Sequence, residues 1–152
     1  MKAISVFGVL GATITGVLIG LQATLGNRSG ALIGAGRTGL LMNVFGGGFA
    51  LLIVLGLWIV RRETPFNAPP AAVNMLLAGG VLGIFIVMGV SASLQLSGVT
   101  AGIAALILGQ MLIGTLVDAV GWGGAEPIPV STARAAGLLV MALAVYLLLP
   151  KN

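Results

Sequence analysis

The chain contains no cysteine and no histidine. Without thiols there is no disulfide, no thiolate nucleophile and no cysteine-based metal site. Without imidazole there is no ordinary near-neutral acid–base group and no histidine ligand. Charge is scarce too. Only 7% of the 152 residues are charged, and three of these are Asp or Glu, whereas a soluble domain carries about a quarter charged residues. So few charges would not cover a surface in water.

What fills the chain instead is apolar: 59% of residues are hydrophobic, 25 are glycine, and the mean hydropathy is +1.19. The apolar residues fall in long blocks, which places the chain among all-α integral membrane proteins. The net charge of +4 comes from seven Lys and Arg spread along the chain without a cluster. That pattern fits a positively fringed, lipid-facing protein better than a nucleic-acid binder.

A bilayer core about 30 Å thick takes roughly 20 apolar residues per helix. Between Lys2 and Arg28 lie 25 uncharged residues, too long for a signal-peptide apolar region of about 7–15, so this is a retained span. Thr38 to Val60 gives 23 uncharged residues, closed by "RRE" at 61–63. Thr64 to Val117 gives 54, enough for two helices with the polar "SASLQLSG" at 91–98 as the break. "NAPP" at 67–70 starts the third helix, because proline is tolerated in a first turn. Asp118 ends the fourth, "GWGGAEPIPVST" is a loop, and a shorter fifth span closes at Pro150. The expected spans are 3–25, 38–60, 71–91, 97–117 and 133–149, in one membrane domain over 1–152.

Residues 34–39, "GAGRTG", fit the dinucleotide fingerprint G-x-G-x-x-G. That pattern binds a pyrophosphate only between the strand and helix of a soluble βαβ unit. Here it follows an apolar span, so it is expected to be a loop into the second helix.

With five spans the two ends lie on opposite sides. Lys2, Arg61, Arg62 and Arg134 fall on one side and Arg28, Arg37 and Lys151 on the other. Orientation follows the Lys/Arg excess in short loops, and four against three is a weak bias. Two readings fit: a cytoplasmic N terminus, or dual topology in which copies insert both ways and pair antiparallel. An odd helix number with balanced flanks also suits half of an inverted-repeat transporter, whose substrate site lies at the repeat interface near the midplane. Two copies would give ten helices.

Helices in lipid associate through small residues and interhelical hydrogen bonds. The first helix carries Gly8, Ala12, Gly16, Gly20 and Thr24 at every fourth position. The third has Gly79 and Gly83, the fourth Ala101, Ala105 and Gly109, and "GGG" at 46–48 marks close approach or a local deformation in the second. These are packing signals. Polar groups in hydrocarbon must face the bundle or a cavity. The candidates are Thr13, Thr15, Gln22, Asn43, Asn74 and Gln110, with Gln110 near the middle of its span. An amide serves a polar solute or a helix–helix bond equally well. Trp58, Trp122 and Tyr146 lie at span ends, where interfacial aromatics belong. No carboxylate sits centrally in a span. Asp118 is at a helix end, and Arg28 and Arg37 read as topology charges.

The runs "LQATLGN" (21–27), "LGQMLIGTLVDAVGW" (108–122) and "PVSTARAAGLLVMALAVYLLL" (129–149) resemble the YdcZ-like family. These are small five-helix bacterial inner-membrane proteins of the drug/metabolite transporter superfamily. The resemblance covers nearly the whole chain. Gln22, Asn27, Gly109, Gln110, Asp118, Ser131, Arg134 and Gly137 match its pattern. It implies a multi-pass half-transporter that acts as a homodimer or beside a paired homologous subunit.

Three functions compete. The first is a small-solute transporter with a central polar cavity, in which Gln22 and Gln110, then Asn43 and Thr13, are pathway candidates. Asn27, Arg28, Asp118 and Arg134 are loop or interface groups, and Gly8, Ala12, Gly16, Gly20 and Gly109 pack helices. Its partners are membrane lipid, a small molecule and a second subunit, and neither cofactor nor metal is called for. The second is a structural or accessory membrane subunit without transport. The third, an intramembrane enzyme, lacks the residues: aspartyl chemistry needs two carboxylates, a Ser–His site needs histidine, and no lysine lies within a span for a Ser–Lys site.

Overall fold

The computed structural model describes residues 6–62, 68–122 and 126–150. Lys2, Glu63, Asn67 and Lys151 lie outside the described residues, as does the side chain of Arg61. Five helices follow one another: α1 (Val6–Ile33), α2 (Ala35–Arg61), α3 (Pro70–Ser97), α4 (Val99–Val120) and α5 (Thr132–Leu148). Four of them, α1 to α4, are long and apolar enough to cross a membrane, and α5 is a shorter apolar helix of 17 residues.

At about 1.5 Å per residue, the 28 residues of α1 and of α3 each run about 42 Å, the full bilayer with its headgroups. The 22 residues of α4 run about 33 Å, close to the hydrocarbon core alone.

The first three helices reach further than the apolar runs suggested. The segment 26–33 is helical, and "GAGRTG" is not a loop: Gly34 alone leaves the helix, and Ala35 to Gly39 form the first turns of α2. "SASLQLSG" is helical through Ser97, and Gly98 alone breaks it. Asp118 is followed by two more helical residues. Pro70 opens α3 as expected. The triple glycine 46–48 sits in uninterrupted helix with open space where each Cβ would be.

The two one-residue breaks are the same device. Gly34 has φ 87° and ψ 148°, and Gly98 has φ 78° and ψ 160°, a region open to glycine and strained for any residue with a Cβ. Each break keeps its flanking backbone bonds. Gly34 N donates to Gly30 O (2.9 Å) and Thr38 N to Gly34 O (3.1 Å); Gly98 N donates to Leu94 O and Gly102 N to Gly98 O, both at 3.0 Å. The residues four before and four after each break are buried: Gly30 and Thr38, then Leu94 and Gly102. Each break therefore keeps two backbone bonds that a helix end would otherwise lose, which lowers its cost in lipid.

At the end of α4, Trp122 N donates to Val117 O (3.2 Å) and Gly121 N to Asp118 O (3.4 Å), the paired bonds of a Schellman stop. Ser131 starts α5, its side chain accepting from Arg134 N at 3.2 Å, an ordinary N-cap.

The chain divides into two compact units, residues 1–92 and 93–152, so α3 contributes to both. In the first, α1 packs on α2; in the second, α4 packs on α5. The buried residues are small, with Leu94 the exception. Ala23, Gly26, Gly30, Thr38, Gly39 and Ser91 form the interior of the first unit, and Leu94, Ala101 and Gly102 that of the second. Large apolar side chains point outward instead, Phe45 and Leu139 each 72% exposed. Such a chain is inverted relative to a water-soluble fold. Close backbone approach holds it together and hydrocarbon covers the rest.

Candidate functional site

In the first unit the polar and small residues gather where α1, α2 and the middle of α3 meet. Gly39 brings α2 against α3. A Cβ there would stand 3.0 Å from Met88 N and 3.1 Å from Ile84 O, and would collide with Met88 Cγ. One turn on, Asn43 Nδ2 donates to Gly39 O at 2.8 Å and reaches Gly83 O at 3.4 Å. Ser91 Oγ, fully buried, donates to Gly26 O at 2.9 Å. The hydroxyls of Ser29 and Thr38 lie 3.0 Å apart across the Gly34 break, and Thr38 is also fully buried. Each bond joins two helices or ties a helix to its own preceding turn, as buried polar groups in lipid require.

Asn27 Oδ1 stands apart. It is buried and accepts no hydrogen bond, an unfilled position in an otherwise paired knot. Arg28 and Arg37, on either side of the break, are both exposed. The unit's described residues include no carboxylate to pair with them, since Glu63 is the only acid before Asp118.

Gln22 lies one turn before Gly26 on the same face of α1 and is exposed. Thr13 and Thr15 are also exposed, and their hydroxyls bond back to Val9 O and Gly11 O, each at 2.9 Å. Local back-bonding of this kind satisfies the hydroxyl without any other helix. Of the stripe on α1, Gly16 and Gly20 have open space where a Cβ would be, so at these two positions it meets no neighbour among the described residues.

In the second unit, Arg134 Nη1 lies 3.1 Å from Asp118 Oδ2, with the side chains 37% and 46% exposed. The separation makes an ion pair, although Nη1 is not aligned as a hydrogen-bond donor. Ile128 N donates to Asp118 O at 2.8 Å, so side chain and main chain of one residue fasten both the loop and the start of α5 to the end of α4. The structure thus brings Asp118 and Arg134 together. Gln110 is exposed near the centre of α4, beside Gly109, where a Cβ would meet nothing.

Three residues of the knot escaped sequence reasoning: Ser29, Thr38 and Ser91. Ser29 lies in a stretch read as a loop, and Thr38 and Ser91 at the outer ends of expected spans, where a hydroxyl carries no packing information. The available signal was the four-residue spacing of the small positions Gly26 and Gly30, a close-packing pattern of its own. Among the described residues no group of acidic side chains is arranged to hold a metal.

The sequence pattern of one family, described as "Putative inner membrane exporter, YdcZ", matches residues 7–147. The chain belongs to this family. The match takes in all five helices, both glycine breaks and the Asp118–Arg134 pair. The family is described as one of inner-membrane exporters rather than of enzymes, which agrees with the four long apolar helices. No curated protein and no solved structure matches the chain.

Proposed function

We propose that the protein is a small-solute transporter of the drug/metabolite type that works as a dimer, one copy inverted, with all five helices of each crossing the membrane. The observation that carries this is the state of the mid-helix amides. Gln22 and Gln110 are exposed on apolar helices and have no hydrogen-bond partner among the described residues. An unpaired amide in hydrocarbon costs about 2–7 kcal/mol, so these two call for a polar lining that the described residues of one chain do not supply. A second, inverted copy provides that lining and a water-filled route at the repeat interface. Near-equal charge on the two flanks lets both orientations insert. The 17 residues of α5 run about 26 Å, at the short end of what spans a bilayer.

The absence of a central carboxylate suits a facilitated mechanism, or coupling that uses no intramembrane acid. Asn43 serves mainly to hold α2 to α3, and Gln22 and Gln110 are the pathway residues of this reading. Purified protein in proteoliposomes is expected to carry a polar metabolite or cationic dye, and Gln110→Leu to abolish that flux while the helical content is kept. A wild-type protein that moves no solute across a broad panel would favour an accessory subunit instead.

A further inference from the structure

Gln110 has a position that no other unpaired amide among the described residues shares. In α4 (Val99–Val120) it lies eleven residues from the first and ten from the last, so it marks the midpoint. Because α4 matches the hydrocarbon core in length, at about 33 Å, that midpoint is the bilayer midplane. Gln22 sits past the centre of the longer α1 (Val6–Ile33), and Asn74 lies in the second turn of α3.

We infer that α4 packs against α4 of an inverted second copy, with the two Gln110 amides paired on the dimer axis. This rests on the dimeric reading above and names its central contact. A two-fold axis lying in the membrane plane places a residue opposite itself only at the midplane. Elsewhere on the helix, a residue n positions before the midpoint meets the one n positions after it. A carboxamide is also self-complementary. Each side chain has two N–H donors and an oxygen with two lone pairs, so two amides exchange reciprocal N–H···O bonds. Each keeps one N–H and one lone pair for a passing solute.

The face is open to such a partner. Ile107 and Ile113, three residues to either side of Gln110, are 42% and 62% exposed, and Gly114 has nothing within 4 Å of where a Cβ would be. The occupant is a second copy because the residue at the centre is its own best complement.

Disulfide trapping tests this directly, since the chain has no cysteine of its own. Single-cysteine variants are oxidised in native membranes and separated without reductant. Gln110→Cys is expected to link to itself. Ile107→Cys and Ile113→Cys are expected to link to each other when two differently tagged chains are co-expressed, and neither to itself. Self-pairing at 107 or 113 would span about 9 Å along the axis at about 1.5 Å per residue, beyond the roughly 7 Å Cα limit for a disulfide. Adding Gln110→Leu to the 107/113 pair should lower the dimerisation constant about tenfold, the scale of two interhelical hydrogen bonds in lipid.

Self-linking of Ile107→Cys and Ile113→Cys would mean a parallel pair and overturn the inference. So would absence of any link at all three positions. Trapping needs no flux: a linked protein without transport would sink the transporter reading alone, and an active protein without the link would sink only this contact.

Discussion

Replacing Gly39 with alanine is the sharpest test of how the first unit is held. The added Cβ would lie 3.0 Å from Met88 N and 3.1 Å from Ile84 O and strike Met88 Cγ. Rotating the methionine clears only the last of these. The other two atoms belong to the backbone of α3, so α2 and α3 must separate by several tenths of an ångström, and Asn43 Nδ2, already 3.4 Å from Gly83 O, loses that bond. Overpacking of this kind costs about 1–3 kcal/mol, and alanine returns about 0.5–1 kcal/mol in helix propensity. A net loss of about 1–2 kcal/mol follows, roughly a five- to thirty-fold shift in the folding equilibrium. The measurement is a titration of the protein from mild detergent micelles with sodium dodecyl sulfate, followed by circular dichroism. Gly56→Ala on the same helix, where a Cβ meets nothing within 4 Å, is the control and should be neutral or slightly stabilising. Gly102→Ala should fall between them, because its close neighbours are the side chains of Leu94 and Ser97 rather than backbone. A Gly39→Ala protein as stable as Gly56→Ala would refute the backbone-contact account of this crossing.

Thr38→Val keeps the shape of a fully buried side chain and leaves Ser29 without its partner at 3.0 Å. It should cost about 0.5–1.5 kcal/mol in the same titration, while Thr38→Ser, which keeps the hydroxyl, should recover most of it. Asp118→Asn removes an ion pair whose side chains are more than a third exposed. It should cost less than about 1 kcal/mol, because the backbone bond from Ile128 N to Asp118 O remains; a larger loss would mean that the carboxylate carries more than this latch.

The number and order of helices were legible because hydrocarbon imposes one simple rule: an uninterrupted apolar run of sufficient length must be helical to satisfy its backbone. The ends were not legible by the same rule. Residues 26–33 and 91–97 contain Asn27, Arg28, Ser29, Ser91, Ser93 and Ser97, and polarity alone reads as loop. In the folded chain the hydroxyls are consumed inside the helix or between helices, Ser97 Oγ on Ser93 O at 2.8 Å and Ser91 Oγ on Gly26 O, so the helices continue until a glycine with positive φ stops them. Which glycine does so is invisible to periodicity: Gly34 and Gly98 are two among 25. The link between Asp118 and Arg134 was beyond sequence reading for a related reason. Sixteen positions separate them, and only the tie from Ile128 back to the end of α4 makes them neighbours.

The distribution of small residues bears on how such a protein moves. Where the first unit is packed, the contacts are glycine backbone, hydroxyls, one amide and the flexible side chains of Met42 and Met88; no branched aliphatic or aromatic side chain is among its described buried residues. Interdigitated side chains hold helices in one register, since sliding them opens voids that lose dispersion contacts outright. A helix face of glycine and serine meets at most an unbranched methionine, which re-packs easily, and interhelical hydrogen bonds in lipid average only about 0.6 kcal/mol. Helices joined this way can exchange one hydroxyl–carbonyl bond for the next at small cost. On the transporter reading proposed above, alternating access requires two arrangements of nearly equal free energy, and an interior of this composition suits that requirement better than a leucine-packed one.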